Sequence, residues 1–263
     1  MQTITLLSDW GMKDPYLASV KGAIVSQIPE ATLIDLSHEI TPYDVTEASF
    51  ILRQAYGNFP KGTIHLIGIN TTASLETPHL VVKHAGQYFI GADNGIFNLL
   101  LENEEPEEIV ELEIIQETPF FTFSTRDVFI KAALHLSQGK PMHTLGRSKT
   151  AINQRHSFLP VIEPNNLKGK VIYIDRYENL VTNISIKKFQ EVGQGNPFRI
   201  DLRKRKYTLT NLHTSYTDVE EGMPVALFGS HGLLEIAICM GNASSLLGIY
   251  IDDMVRIEFL KNV

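Results

Sequence analysis

The sequence predicts an α/β protein, with an N-terminal α/β domain built on a mainly parallel central sheet and a smaller all-β C-terminal domain behind it. Three observations lead to that class. In the first half, apolar runs of strand length alternate with helix-like stretches, the pattern of parallel strands joined by helical crossovers. Between about Gly146 and Lys168 the chain turns polar, with prolines and Asn165-Asn166, as domain junctions do. Beyond it, short alternating runs separated by turn residues have the spacing of a small barrel or sandwich. The expected boundaries are 1–150 for the first domain, 151–168 for a linker and 169–263 for the second domain.

Element by element, Thr3 to Leu7 reads as a strand, Pro15 to Gln27 as a helix, Ala31 to Leu36 as a strand, Val45 to Ala55 as a helix and Thr63 to Ile69 as a strand. Leu80 to Lys83 and Gln87 to Gly91 read as paired strands, and Asn94 to Leu101 as a helix opened by Asp93-Asn94-Gly95. Arg126 to Gln138 reads as a helix, with Val128, Ala132, Leu134 and Leu136 apolar and Gly139-Lys140-Pro141 as its stop signal. In the second half, Lys170 to Asp175, Leu180 to Ile184, Phe198 to Leu202, Tyr207 to Thr210, Pro224 to Gly229, Leu233 to Met240 and Met254 to Phe259 read as strands. The chain shows no internal repeat and no low-complexity segment.

At 263 residues, 43% hydrophobic and 20% charged, the chain has an ordinary composition with room for a sizeable core. A net charge of −7 gives no global attraction to nucleic acid or anionic membrane, so neither is expected as a partner. The one basic cluster, Arg203-Lys204-Arg205-Lys206, lies between two strand-like runs and reads as a solvated hairpin turn. Cys239, the sole cysteine, sits in an apolar run and reads as a buried, inert thiol. No stretch has the apolar length of a membrane span, and the N-terminus lacks the features of a signal peptide, so a cytoplasmic protein is expected.

Polar groups cluster where the strands end. Thr5 to Leu7 runs straight into Ser8-Asp9-Trp10-Gly11 and Asp14, which places carboxylates outside the sheet where open α/β sheets bind ligands. Asp9 or Asp14 capping the helix from Pro15 is the other use of these residues. Further clusters are Asp35-Leu36-Ser37-His38, Asn70-Thr71-Thr72, Asp93-Asn94-Gly95, Asp175 to Asn179, Gly229-Ser230-His231-Gly232 and Gly241-Asn242-Ala243-Ser244. Singly these are turn chemistry. Together they supply donors and acceptors without a phosphate-cradling glycine motif, which suits a neutral, hydroxyl-rich ligand such as a nucleoside. The nine histidines show no pair at metal-ligand helical spacing, so no metal is expected. Ser230-His231-Gly232 lacks the strand-to-helix elbow of a hydrolase serine. His38, His65 and His135, among apolar neighbours, read as structural.

Taken in order, these segments resemble the S-adenosylmethionine (SAM) hydroxide adenosyltransferase family, which also includes the SAM-dependent fluorinases and chlorinases. The markers are Ser8-Asp9-Trp10-Gly11 with Asp14, Asp35 to Pro42, Asp93-Asn94-Gly95, Thr122-Phe123 with Arg126-Asp127, Asp175 to Asn183, and Gly229-Ser230 through Leu234-Glu235-Ile236-Ala237 to Gly241-Asn242-Ala243. The resemblance implies a homotrimer with ligand held between the N-terminal domain of one subunit and the C-terminal domain of its neighbour. It implies that Asp9 holds the ribose hydroxyls and Tyr43 packs on the ligand. Asp175 and Ser230 would hold the methionine head, Tyr177 would stack on adenine, and Asn179 with the Asn242-Ala243 backbone would read its edge. Phe123 and His231 complete the expected ligand-binding set. The implied reaction is in-line attack on ribose C5′ with methionine leaving, with no cofactor beyond SAM.

The sequence departs from the hydrolase pattern at three positions. The family's water-activating Asp falls on Asn70, its Arg partner near Thr77, and its His on Ser124. Asn70 can hydrogen-bond a water but cannot take its proton, and Ser124 is no base near neutral pH. Thr125 places a hydroxyl where the fluorinase has a halide-contacting serine; capping the helix from Arg126 is its other reading. Asn70, Ser124 and Thr125 are therefore the candidate catalytic positions, with Glu76 and His79 in the same loop as replacement bases. The expected function is cleavage of SAM to adenosine and methionine; the alternatives are a non-catalytic adenosyl-ligand sensor and adenosyl transfer to a halide or another small nucleophile.

Overall fold

The computed structural model describes residues 2–102, 104–117, 119–155, 158–202 and 208–260, and the chain falls into two units, 1–156 and 157–263. In the first unit the elements are β1 (Gln2–Ser8), α1 (Tyr16–Gln27), β2 (Ala31–Ser37), α2 (Val45–Tyr56), β3 (Ile64–Gly68), β4 (His79–His84), β5 (Gln87–Ala92), α3 (Ile96–Leu101), β6 (Glu108–Leu112), α4 (Ile130–Ser137) and β7 (Gly146–Ser148). Ile4 through Ser8 are all buried, as in a parallel strand covered on both faces. Ile4, Leu6, Ile64 and Leu66 pack on one side with α1 and α4, and Leu7, Ile67 and Ile69 on the other with α2 and α3. The sheet is thus sandwiched between two helical layers.

Its strand order is β2-β1-β3-β5-β4-β6-β7. The pairs β1–β2, β1–β3 and β3–β5 are parallel, whereas β5–β4, β4–β6 and β6–β7 are antiparallel. The sheet is therefore mixed, and the expectation of a mainly parallel one holds only for β2-β1-β3-β5. The reason is local: Ala85 and Gly86, both with positive φ (51° and 72°), join β4 to β5 in a two-residue turn, and so short a connection permits only antiparallel pairing. The short β6 and β7, not foreseen from the sequence, extend that antiparallel edge.

The second unit contains β8 (Val161–Glu163), β9 (Asn166–Ile174), β10 (Leu180–Ser185), α5 (Ile186–Gly193), β11 (Phe198–Asp201), β12 (Thr208–Leu209), β13 (Pro224–Phe228), β14 (Leu233–Ile238), α6 (Ala243–Leu247) and β15 (Met254–Phe259). All its strand pairs are antiparallel, in the order β12-β11-β15-β9-β10-β14-β13, with β8 paired to β9. Leu167, Leu180, Ile200, Leu234, Ile236 and Ile257 form its core. Two short helices make this domain β-rich rather than all-β. α5 starts where the Ser185 hydroxyl accepts the Lys188 N–H (3.2 Å), and it anchors itself by Phe189. Residues 161–168, within the stretch read as linker, form β8 and the start of β9. Cys239 is buried, and the basic cluster at 203–206 lies outside the described residues. Among the described residues no helix is long and apolar enough to cross a membrane.

Candidate functional site

In the first unit the polar groups gather at the C-terminal ends of β1, β2 and β3, which are neighbours in the sheet. Asp9 follows β1 directly, and its Oδ2 accepts the Tyr43 N–H at 2.9 Å. Tyr43 has a left-handed backbone (φ 67°) and its side chain is 72% exposed, so the residue is held by its main chain while the ring stays available. Asp44 beside it caps α2 by accepting the Thr46 and Glu47 N–H groups, both at 2.9 Å, and this fixes the Thr41 to Asp44 turn. No side-chain hydrogen bond caps α1, so neither Asp9 nor Asp14 serves that purpose.

Ser8 and His38 tie β1 to the end of β2 through a 2.7 Å contact between Oγ and Nδ1. Asp35 Oδ1 stands 3.1 Å from His38 Nε2 but off the hydrogen-bonding direction, and Lys21 Nζ lies 2.6 Å from the other carboxylate oxygen. Burial would raise the Asp35 pKa, but Lys21 and His38 outweigh it and hold the carboxyl below its ordinary value. His38 is thus buried between Ser8 and Asp35.

Trp10 lies over the exit of β3. A Cβ on Gly68 would come within 2.4 Å of its indole, so only glycine admits the ring at this point. Phe123 packs edge-on against both Trp10 and Tyr16, with 5.4 Å between centroids in each case, and Arg126 lies over its face. The structure therefore places Phe123 beside the Asp9 segment. The helix expected from Arg126 begins instead as a π-helical turn over Thr125–Phe129, packed against β3 and β5. Such turns reposition side chains within a helix. Ser124 and Thr125 are both buried, and Thr125 does not cap: its Oγ1 has no hydrogen-bond partner among the described residues.

Asn70, two residues past β3, is exposed and left-handed (φ 43°), a conformation asparagine tolerates well. Asn94 clamps this exit, donating from Nδ2 to the carbonyls of Ile69 (3.0 Å) and Asn70 (3.3 Å). The Ser74 and Thr77 hydroxyls meet at 2.8 Å, and Asn153 donates to the Glu76 carbonyl (2.6 Å), so the loop is ordered by its own small side chains. Asn153 is held in turn by the buried Asp93, whose carboxyl burial raises in pKa against the Asn153 N–H bond. His79 donates to the Thr71 carbonyl (2.8 Å) and lies edge-on to Phe129; burial depresses its pKa against the Thr71 bond. Glu76 is exposed in the same loop.

In the second unit, Asp175 follows β9. Its Oδ1 accepts the N–H groups of Tyr177 (2.9 Å) and Asn179 (2.8 Å), and its Oδ2 accepts Asn179 Nδ2 (3.0 Å). This braces a tight loop that leaves the Tyr177 ring 74% exposed and Asn179 buried. Glu178, left-handed at φ 63°, accepts the N–H groups of Ser244 at its carbonyl and of Ser245 at its carboxylate. The Asp175 loop and the Asn242-Ala243 segment are thereby joined, so Asp175, Tyr177, Asn179, Asn242 and Ala243 share one edge of this unit. Ser230 is exposed at the turn between β13 and β14. His231 beside it turns into the hairpin, its Nε2 3.2 Å from Glu235 Oε2 and its Nδ1 accepting the Leu233 N–H (3.1 Å).

Sequence reasoning assigned no role to Trp10, Asn153, Tyr216 or Glu235. Of these, Glu235 carried a visible signal, a lone charge inside the apolar run Leu233 to Met240. Asn153 and Tyr216 carried none, because each acts through a partner distant in sequence. Among the described residues no group of three His, Cys, Asp or Glu side chains is arranged to hold a metal.

Comparison with known proteins gives the same answer over both units. Residues 4–146 match the SAM hydroxide adenosyltransferase N-terminal domain and residues 169–256 the C-terminal domain. The chain is 31% identical to the (R)-S-adenosyl-L-methionine hydrolase of Thermus thermophilus, over 95% of this chain and 96% of that one. It is 27% identical to a fluorinase of Nocardia brasiliensis, over 92% and 91%. In three dimensions it is similar to an uncharacterized conserved protein from Thermotoga maritima, with a TM-score of 0.87, 30% identity, and coverage of 97% and 99%. The chain belongs to the SAM hydroxide adenosyltransferase family.

Proposed function

We propose that the protein binds SAM and cleaves its C5′–S bond with water, giving adenosine, methionine and a released proton. The observation that carries this reading is Asp9. Its carboxylate is fixed by one backbone N–H and keeps lone pairs for two ribose hydroxyls, at the strand end where α/β sheets take ligands. The names of the hydrolase and fluorinase relatives support adenosyl chemistry. The exposed rings of Tyr43 and Tyr177 suit a purine nucleoside held between subunits of a homotrimer, in which Asp175 and Ser230 receive the methionine head. Because the sulfonium leaves as a neutral thioether, the protein has mainly to align a nucleophile with C5′ and strip it of water. SAM is the substrate, and no further cofactor enters this reading.

Incubation of the purified protein with SAM should yield adenosine and methionine in equal amounts by chromatography. Turnover no faster than that of heat-killed protein would overturn the proposal. A second reading, an adenosyl-ligand sensor, is favoured by the groups at the family's triad positions: an exposed Asn70, Thr77 bonded within its own loop, and a buried Ser124. It predicts calorimetric binding of SAM or adenosine without product.

A further inference from the structure

Glu235 is the one acidic residue of β14, which lies between β10 and the edge strand β13 of the second unit's sheet. Leu234, Ile236 and Ile238 point into the main core, whereas Glu235 shares the opposite face with Ala237 and a small cluster including Val225 and Leu227. It is 3% exposed. Burying a carboxylate is costly unless it is paired and hydrogen-bonded, and an apolar side chain of similar volume would serve packing alone at least as well.

The chain supplies two donors to Glu235. The Tyr216 hydroxyl donates to Oε1 at 2.7 Å, and His231 Nε2 faces Oε2 at 3.2 Å. Because His231 Nδ1 accepts the Leu233 N–H, the ring proton sits on Nε2 and points at the carboxylate. Both carboxyl oxygens of Glu235 thus have a donor beneath the Gly229 to Gly232 turn. Gly229 makes the closeness possible, since a Cβ there would fall 2.6 Å from His231 Nε2 and 2.8 Å from Glu235 Oε2. The same pair of carboxylates, Glu235 and Asp175, acts on Tyr216. Burial first, then the Glu235 bond and the charges of Glu235 and Asp175, drive its hydroxyl well above the ordinary tyrosine pKa.

We infer that Glu235, held by Tyr216 and His231, is a positioning residue that makes the Asp175–Ser230 end of the site selective for the ammonium of an amino-acid head group. The inference rests on the reading of that end as the place of the methionine head. A carboxyl group on this side favours the ammonium and sulfonium of SAM over its carboxylate and does nothing for the neutral adenosine portion. In a site shielded from water, such a fixed charge is felt more strongly than a surface one.

Calorimetry on the full-length protein tests this with SAM, methionine and adenosine as ligands. Glu235→Gln should weaken SAM and methionine about tenfold while leaving adenosine within about twofold. Tyr216→Phe, which keeps the partly exposed ring and removes only the donor, should weaken SAM about threefold with adenosine again unchanged. Equal losses for SAM and adenosine would reveal a purely structural strut, and no loss for SAM in either variant would remove the charge from the site; both overturn the inference. If Glu235→Gln does not fold, the Tyr216→Phe comparison decides alone. Wild-type protein that binds adenosine but not SAM would overturn the proposed function itself and this inference with it, whereas wild-type binding of SAM that the variants match overturns the inference alone.

Discussion

Asp9 and Asp175 each stand immediately past a strand, β1 and β9, yet their carboxylates are in opposite conditions. Asp9 accepts one hydrogen bond among the described residues, whereas Asp175 accepts three from its own loop. An ionised carboxyl group has about four acceptor sites. Asp9 therefore keeps most of its capacity for a ligand, while Asp175 spends most of its own on shape. The same residue type at the same topological position is left nearly open in one unit, while in the other it is braced by its own loop and has about one acceptor site left for the proposed methionine head. The exit of β3, next to β1, adds a third case, in which Asn70 offers an amide that cannot take a proton.

The largest effect expected concerns that third exit. Asn70→Asp places a carboxylate where the hydrolase pattern has its water-activating residue, and general base catalysis contributes about 10²–10⁴-fold. Adenosine release from SAM, followed by chromatography, should rise about 100-fold. An unchanged rate would mean that the nucleophile is not activated from β3, and the contrast between the exits of β1 and β3 would lose its chemical meaning.

Next in size is a property of the strand body rather than of its exit. In β3, His65 lies between Thr5 Oγ1 (2.7 Å from Nδ1) and Gln87 Oε1 (2.6 Å from Nε2), fully buried. Burial pulls its pKa down from 6.5 to about 4, against the Gln87 bond that raises it. The unfolded chain thus takes up this proton first. The stability held by neutral His65 is complete above about pH 6.5 and is lost as the pH falls to about 4, an effect of about 3 kcal/mol. Denaturant unfolding at pH 7.5 and 4.5 should show the loss, and His65→Gln should flatten it whatever that variant costs at pH 7.5. An equal slope in the variant would assign the acid sensitivity to other groups.

The comparison of the two aspartates sharpens under parallel substitution. Asp9→Asn keeps an acceptor for the Tyr43 N–H but removes the charge, at about 1.5–3 kcal/mol for a hydrogen bond to a charged group. SAM and adenosine should bind about 10- to 100-fold more weakly by calorimetry, with the unfolding midpoint nearly unchanged. Asp175→Asn should instead lower stability by about 1 kcal/mol, because the Asn179 amide loses its acceptor, and should weaken SAM through its methionine head while leaving adenosine nearly unchanged. Equal binding losses in the two variants would erase the distinction drawn between them.

How far the sequence revealed this site follows from the range of the forces involved. Strand ends rich in Asp, Asn and Gly were visible because turn chemistry is local, and so were the Asp9 and Asp175 positions. That Asp175 is consumed by Tyr177 and Asn179 was not, since nothing in a four-residue spacing says which acceptor a donor chooses. The mixed sheet was half legible: the β4–β5 hairpin shows in its alternation, but the pairing of β4 with β6 is a long-range choice. α5 was missed because a helix of eight residues resting mainly on Phe189 has almost no apolar period to read. Glu235 was passed over although it is a charge in an apolar strand, while its Tyr216 partner, 19 positions away, could come only from the folded chain.

The smallest expected effect separates a group held for the protein from one held for a ligand. Thr125 Oγ1 is buried in the π-helical turn and has no protein partner among the described residues, whereas its neighbours pack against β3 and β5. A buried hydroxyl without a partner destabilises, and valine has the same shape without the polar atom. Thr125→Val should therefore stabilise the protein by about 1 kcal/mol, a rise in Tm of about 2–4 °C for a chain of this size. If SAM turnover falls at the same time, the hydroxyl is satisfied only when substrate or nucleophile is bound, and it joins Asp9 as a group reserved for ligand. If turnover is unchanged, Thr125 is a packing residue, and the reserved capacity at this edge belongs to Asp9.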